Sequence, residues 1–438
     1  MSDANMTTIA NYFVRKYPKG IGPDLFPLAA LLSEVEKDES WTGEGSYKTL
    51  RTSTSAGASS TWANAMANQQ PGSLDRFFIA ADKYEYSLGQ IANEAIAKAK
   101  DAGAVADVVD GETQSAMHSL SMGLSVGLHG NGGGAVAAAT AVSTTNIAND
   151  TVTLKYGSDG ARFQKYMWFQ AAKDDGAFYV TAQGALAGTL GSGAKAQVLG
   201  VNFNPGGTTT VVFDRNLVTA WGAIGATGNF ASGWFLFRDG DYANKFPGVD
   251  AWNPPGVPGT TTYTDVLGNA CTIPATFKGV NRALDPQRLA GLRYSAGGIS
   301  KEEAIIQASY LLPSFGIKGE MLCVANFQDV MKLQLTLRAK ATLPSKEDPS
   351  MGFASVTLDG PTGKIRVLGD VYRQEGSFKL FRKPAFKLVT AGPIGFLKDL
   401  NGKMLMINPN ADGVYFRTGC YIGSMSDAPN EMLHGTWA

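Results

Sequence analysis

The chain has 438 residues, enough for two or three domains and a sizeable core. Its 38 Lys and Arg balance 38 Asp and Glu, so it lacks the clustered basic charge that wrapping nucleic acid requires. Cys271, Cys323 and Cys420 are odd in number and far apart, which speaks against a disulfide framework or zinc knuckle and fits a reducing compartment; the opening MSDANMTTIANYF reads as no secretory signal, and no run of about 18 apolar residues spans a membrane.

Residues 1–45 read as an arm. TTIANYFVRKY and PLAALLSEVEKDE are short amphipathic helical patterns, and the Pro and Gly residues of YPKGIGPDLFP prevent one continuous helix. Their apolar patches are too small for a core, so they must lie on the rest of the chain or on a neighbour. Residues 46–89 predict one long hairpin, with SYKTLRTSTS going out and DKYEYSL returning. The tip AGASSTWANAMANQQPGS is small and polar, and a hairpin with so little core is marginal alone.

Residues 90–130 predict helix, broken near Gly103 and at Asp110-Gly111. Met117, Leu120, Leu124 and Leu128 follow at helical spacing. Gly123 and Gly127 each cost about 1 kcal/mol relative to Ala, which implies close approach of another element. From 141 to 240 the pattern changes to short β runs, DTVTLKY, AFYVTAQ, AKAQVLGVN, TTTVVFD and WFLFRDGD, which suggest a small barrel or sandwich. Its expected apolar set is Tyr166, Trp168, Phe178, Val180, Val198, Val211, Phe213, Trp234 and Leu236. Residues 241–280 are rich in Pro and Gly. Residues 281–345 are mainly helical, with a capping box opening SKEEAIIQASYLLPSFG. Residues 352–438 return to β structure.

Candidate chemistry is sparse. Gly130, Gly132 and Ala135 fit a loose G-x-G-x-x-A, and Asp150 lies 20 residues beyond Gly130. A dinucleotide fingerprint must follow a strand and open a helix. The Gly130–Gly134 cluster follows a helix, so it reads as a helix terminus whose glycines turn the chain. A nucleotide-dependent enzyme built on this loop is the weakest alternative. His118 and His129 lie on nearly the same helix face, but at about 1.5 Å rise per residue they are too far apart to share a metal. His434 stands alone. Asp174-Asp175 and Glu302-Glu303 read as a turn and a favourable first helical turn. No nucleophile elbow occurs, and no catalytic, cofactor-binding or metal-binding residue is assigned.

The order of these segments resembles the major capsid protein of tailed bacteriophages, the Hong Kong 97-type fold. NYFVRKYPKG, LFPLAALLSEVEKDESWTGEGSYKTLRTS and DRFFIAADKYEYSLGQIANEAIAKAKD look like the arm and extended loop. SAMHSLSMGLSVGLHGNGGG looks like the spine helix and the turn after it. Gly45, the run Gly279, Val280, Asn281 and Arg282, and the run Leu289, Ala290 and Gly291 are the most characteristic positions. The resemblance implies an α+β chain: N-terminal arm 1–45, extended β-hairpin loop 46–89, peripheral domain with spine helix 90–140, inserted small β-barrel-like domain 141–245, axial domain 246–350, and return β segments 351–438.

It further implies self-assembly as hexamers and pentamers into an icosahedral virion shell around packaged double-stranded DNA, without sequence-specific binding or a membrane. The shell would assemble in the host cytoplasm, with a portal, a separate or already removed scaffolding protein, and a decoration protein as candidate partners. An encapsulin-type cellular compartment is the alternative on the same fold. Some members of the family crosslink through a Lys in the extended loop. Lys48 is the candidate position, but the sequence around it shows no acid catalyst, and no crosslink is expected there.

Overall fold

The computed structural model describes residues 16, 22–25, 29–39, 41, 43–51, 53, 57–94, 102–143, 149–180, 195–217, 221, 233–260, 263–316, 319–339, 355–361, 363–399, 402–407 and 412–437. Two six-stranded sheets, a closed barrel and a projecting hairpin organise it. The pattern TTIANYFVRKY lies almost wholly outside the described residues.

The first sheet is built along the strand Gly413–Ser426, which is long enough to pair with several partners. The antiparallel strands Lys83–Ala92, Phe386–Thr390, Gly395–Leu397 and Leu405–Ile407 all bond to it. The short strand Glu36–Asp38 adds in parallel beside Phe386–Thr390. The helix Ala102–His129 packs on this sheet with Met117, Leu120, Leu124 and Leu128 in the main core, as their spacing predicts. Its inner glycines allow that contact. A Cβ at Gly123 would come within 1.9 Å of Glu85 Oε1.

Two sequence expectations change here, the partner of Lys83–Ala92 and the continuity of the helix. Lys83–Ala92 is not the return strand of the hairpin; Leu74–Ile79 is, in register from Ser46↔Ile79 to Arg51↔Leu74. Alternation marks a strand but not its partner, and Lys83–Ala92 pairs with Gly413–Ser426 in the first sheet instead. Its faces are also inverted relative to hydrophobicity. Glu85 and Ser87 point inward, and Tyr84, Tyr86 and Leu88 are exposed. Glu85 can be buried because Lys245, itself buried, pairs with it. Finally, the helix runs unbroken through Gly103 and Asp110-Gly111. Tertiary packing outweighs a propensity penalty of about 1 kcal/mol per glycine.

The described apolar residues of the arm from Leu25 to Val35 rest on their own chain. Leu25, Ala29, Ala30, Leu31, Leu32 and Val35 all join the main core. The expected second helix is cut to Ala30–Glu34, and the chain then extends into Glu36–Asp38.

The barrel closes in the order Thr210–Phe213, Thr151–Leu154, Ala135–Ser143, Trp234–Arg238, Trp168–Ala172, Ala196–Asn202. Its first strand begins at Ala135, upstream of the expected boundary at 141, because AVAAATAVS carries too little bulk to announce a strand. The core holds Val198, Val211, Phe213, Trp234 and Leu236 as expected, and Val152, Phe163, Phe169 and Trp221 besides. Four members of the expected set differ. Tyr166 is exposed at φ 73°. Trp168 is half-buried at the rim beneath Lys195 and Arg215, whose charged groups lie 5.2 and 5.5 Å from its ring. Phe178 packs with Cys271 and Ile273 outside the barrel. The strand Tyr179–Val180 pairs with Ala270–Thr272 rather than within the barrel.

The stabilising aromatic is therefore Phe169, stacked on Phe163 at 4.6 Å. Chemical denaturation should show Phe169→Ala losing about 3–5 kcal/mol, whereas Trp168→Ala loses only about 1 kcal/mol with its cation contacts. The reverse ranking would mean that the barrel core is misplaced.

The second sheet runs Leu292–Ala296, Met432–Trp437, Ser377–Phe381, Met321–Ala325, Gly363–Gly369, Ser355–Gly360. The helices Lys301–Leu311 and Phe327–Ala339 cover it, burying Ile305, Ala308, Val330, Leu333 and Leu337 against the strands. Ser300 caps the first helix by accepting from the Glu303 N–H at 3.3 Å.

Candidate functional site

The glycine cluster turns a helix into a strand. Gly132 and Gly134 adopt φ of 93° and 88°. Gly133 approaches another main chain so closely that a Cβ would lie 1.9 Å from the Asp175 carbonyl oxygen. Asn131 bridges the two segments, its Oδ1 accepting from the Gly133 N–H and its Nδ2 donating to Asp175 Oδ2 at 2.7 Å. Asp175 also accepts from the Ala177 and Phe178 N–H groups. The loop's polar groups thus serve a junction between two turns, and the N–H groups of a helix start are absent from it. Asp150 accepts from the Leu217 N–H at the barrel.

The other singled-out residues do not converge. His118 is exposed and His129 is buried, with Nε2 3.1 Å from Asp370 Oδ2. His434 is buried in the second sheet. The three cysteines are free and buried. Burial pushes the Cys271 thiol up to about 12 and raises Cys323 and Cys420 as well, which leaves them poor nucleophiles. Lys48 pairs with Asp427 at 2.8 Å. Among the described residues no group of three His, Cys, Asp or Glu side chains is placed to hold a metal ion.

A cavity of about 120 Å³ lies where the barrel, the end of the long helix and the second sheet meet, lined among others by His129, Asp159, Arg162, Asp175 and Arg373. Its charges tie these parts together. Arg162, on the turn Gly157–Arg162, stands 3.1 Å from Asp159 and donates to the carbonyls of Val136 and Tyr372. Asn326 donates to Ser158 across the same seam.

Burial pushes the Asp159 carboxyl up to about 6 against the pull of Arg162, and pushes Asp175 up to about 6 against its hydrogen bonds. Both folded values lie above the unfolded value near 3.9, so the fold favours the protonated forms. Their contribution to stability is fully present below about pH 4 and is lost as pH rises through about 6. Asp250 and Asp370 are shifted downward and act oppositely, in the more acidic range. Buried His434, held well below the ordinary imidazole range, acts oppositely in this interval, losing its contribution as pH falls through its unfolded value of about 6.5. The difference between wild type and Asp159→Asn isolates the carboxyl, and the wild type should gain on the variant between about pH 7 and about pH 5. Thermal midpoints of wild type and Asp159→Asn that change in parallel over this interval would contradict the assignment.

What the surface offers is apolar area. The hairpin root is anchored, with Phe77 against Trp252 at 5.3 Å. Outward from it Tyr47 and Leu74 are exposed, and the tip helix Trp62–Ala67 has no buried residue, Trp62 being 80% exposed. On the first sheet Tyr84, Tyr86, Leu88 and Tyr421 form a second exposed surface, with Tyr84 edge-on to Tyr421 at 5.1 Å. A third is the row Phe327, Met331 and Leu335 along the outer side of its helix. Sequence reasoning missed this row. Its signal was a helix carrying apolar residues on two faces at four-residue spacing.

No protein-family model matches the chain, and no curated protein matches it. Among solved structures, the capsid asymmetric unit of cyanophage A-1(L) matches with a TM-score of 0.50 and 10% identity, over 95% of this chain and 92% of that chain. The chain has a phage capsid fold. Mycobacterium phage Ogopogo matches with a TM-score of 0.42 and 10% identity, over 94% of this chain and 92% of that one. The capsid fold is α+β, as the sequence resemblance implied, with the small closed barrel added to it. Its long helix, first sheet and second sheet enclose the main core, and the hairpin leaves that body.

Proposed function

We propose that this chain is the major capsid protein of a tailed bacteriophage, a structural protein that assembles with its own copies into the virion shell. In this reading the helix-backed first sheet is the peripheral domain, the second sheet with its two helices the axial domain, and the barrel an insertion between them. Hexamers and pentamers would close into an icosahedral wall around double-stranded DNA. A scaffold, a portal and a decoration protein would be its partners.

The observation that carries the proposal is the hairpin. It is anchored at its root and bare beyond it, on a chain that also exposes two other sets of apolar side chains. Contiguous apolar exposure of this kind marks a contact with another protein, and a hairpin without a core needs one. The neutral charge suits a wall that confines nucleic acid rather than binding it. Electron microscopy of the concentrated protein, with its scaffold supplied, should show shells or capsomers. Monodisperse monomer under those conditions would overturn the proposal.

A further inference from the structure

Asn253 and Lys379 meet at the seam between the long helix and the second sheet, in a setting suited to amide exchange. We infer that Lys379 and Asn253 become joined by an isopeptide bond within the subunit. Lys379 lies on the central strand Ser377–Phe381, flanked by Val324 on one side and His434 on the other. Its chain neighbours Phe378 and Leu380 face the helices that cover the sheet. Strand alternation turns Lys379 the other way, toward the short helix Val249–Trp252 and its C-cap residue Asn253. There Nζ lies 3.2 Å from Asn253 Oδ1 and 2.9 Å from Asp250 Oδ1, and donates to the Asn253 main-chain carbonyl. Asn253 is fully buried. Its Nδ2 donates to the carbonyls of Ala290 at 2.8 Å and Leu292 at 3.1 Å. Those two bonds fix the plane of the amide and turn its oxygen toward the amine.

The surroundings favour an uncharged, nucleophilic amine. Burial lowers Lys379 to about 7 despite Asp250, with Arg373 and Arg293 adding to the effect. Burial and the same cations hold His434 well below the ordinary imidazole range. Burial also opposes ionisation of Asp250, but the neighbouring positive charge, Arg373 foremost, outweighs it and holds the carboxyl well below the usual range. Arg373 Nη1 stands 2.9 Å from Asp250 Oδ1. One carboxylate thus touches the amine, and Arg373 holds that carboxylate in place.

The balance needs no cofactor and no oxidant. The Nζ lone pair forms a bond to Asn253 Cγ, and Asp250 accepts a proton from Nζ. Asp250 passes that proton to Nδ2, the Cγ–Nδ2 bond breaks, and ammonia leaves. Amine and carboxamide become a secondary amide and ammonia, and Asp250 returns to its ionised form. The next residue, Pro254, makes the outcome diagnostic. Proline has no main-chain N–H, so Asn253 cannot lose ammonia by cyclising onto the following peptide nitrogen. The bond would tie the segment beside the end of the long helix, where the Gly248 N–H donates to the Gly130 carbonyl, to the centre of the second sheet.

Intact-mass spectrometry of the full chain tests this directly. The wild type should be one ammonia lighter than its sequence, and digestion should release a branched peptide joining the segments that hold Asn253 and Lys379. Lys379→Met and Asn253→Ala should each restore the full mass, and Asp250→Asn should slow or abolish the loss. A wild-type chain of full mass, or one whose Asn253 and Lys379 peptides are both linear, overturns the inference even if the variants do not fold. Neither result depends on whether shells form.

Discussion

Replacing residues 57–72 with a short Gly-Ser linker should leave a folded subunit that fails to close into the proposed shell. The replaced segment holds the tip helix, whose residues are all at least partly exposed. Its loss therefore removes almost no buried area from the subunit, and the thermal midpoint should stay near the wild-type value. The root remains, because Phe77 and Ile79 stay in the main core and the Phe78 N–H still donates to the Lys278 carbonyl. What disappears is the part of the hairpin that, in the proposed assembly, a neighbouring copy would cover. Sedimentation and electron microscopy should show capsomers or monomers in place of shells. Trp62→Ala alone should weaken assembly in the same direction, since large aromatic residues dominate interface energetics. Normal shells from the trimmed protein would show that the hairpin tip is not an intersubunit element.

Gly133→Ala should cripple folding, whereas Gly111→Ala should be neutral or stabilising. A Cβ at Gly133 would sit 1.9 Å from the Asp175 carbonyl oxygen and 2.8 Å from the Ala177 nitrogen. Both are main-chain atoms, held by the Asp175 turn and by Asn131, so neither can swing aside. Overpacking a closed junction costs about 1–3 kcal/mol, and more where nothing can give way. The effect at Gly133 is a clash, not a left-handed backbone; the left-handed positions in this loop are its neighbours Gly132 and Gly134. Gly111 lies in the interior of the long helix with nothing within 4 Å of an added Cβ. Removing its backbone freedom should gain about 0.5–1 kcal/mol. Denaturation midpoints of the two variants, read side by side, separate these effects. A stable Gly133→Ala would mean that the turn does not pack on the Asp175 segment.

By itself the sequence determined those features that depend on local pattern. Helical spacing placed Met117, Leu120, Leu124 and Leu128 on the buried side of a helix. Glycines at 130–134 marked where that helix stops, and the short β runs between 141 and 240 marked a small barrel or sandwich, of which the structure shows the barrel. Periodicity reports which residues share a face, because backbone geometry alone sets it.

Only the tertiary structure decided which partner each face meets. Lys83–Ala92 alternates clearly in sequence, yet its Tyr84 and Tyr86 face outward while Glu85 is buried, because Lys245, 160 residues away, supplies the opposite charge. Ala135–Ser143 became a barrel strand through hydrogen bonds to Trp234–Arg238 and Thr151–Leu154, although its small side chains carry almost no pattern. Trp168 and Trp221 look alike in sequence, but one lies at the rim and the other in the barrel core. Lys379, Asn253 and Asp250 are ordinary residues apart. The sheet and the short helix bring them together, and burial of long-range charge pairs is a property of the folded chain that no local window contains.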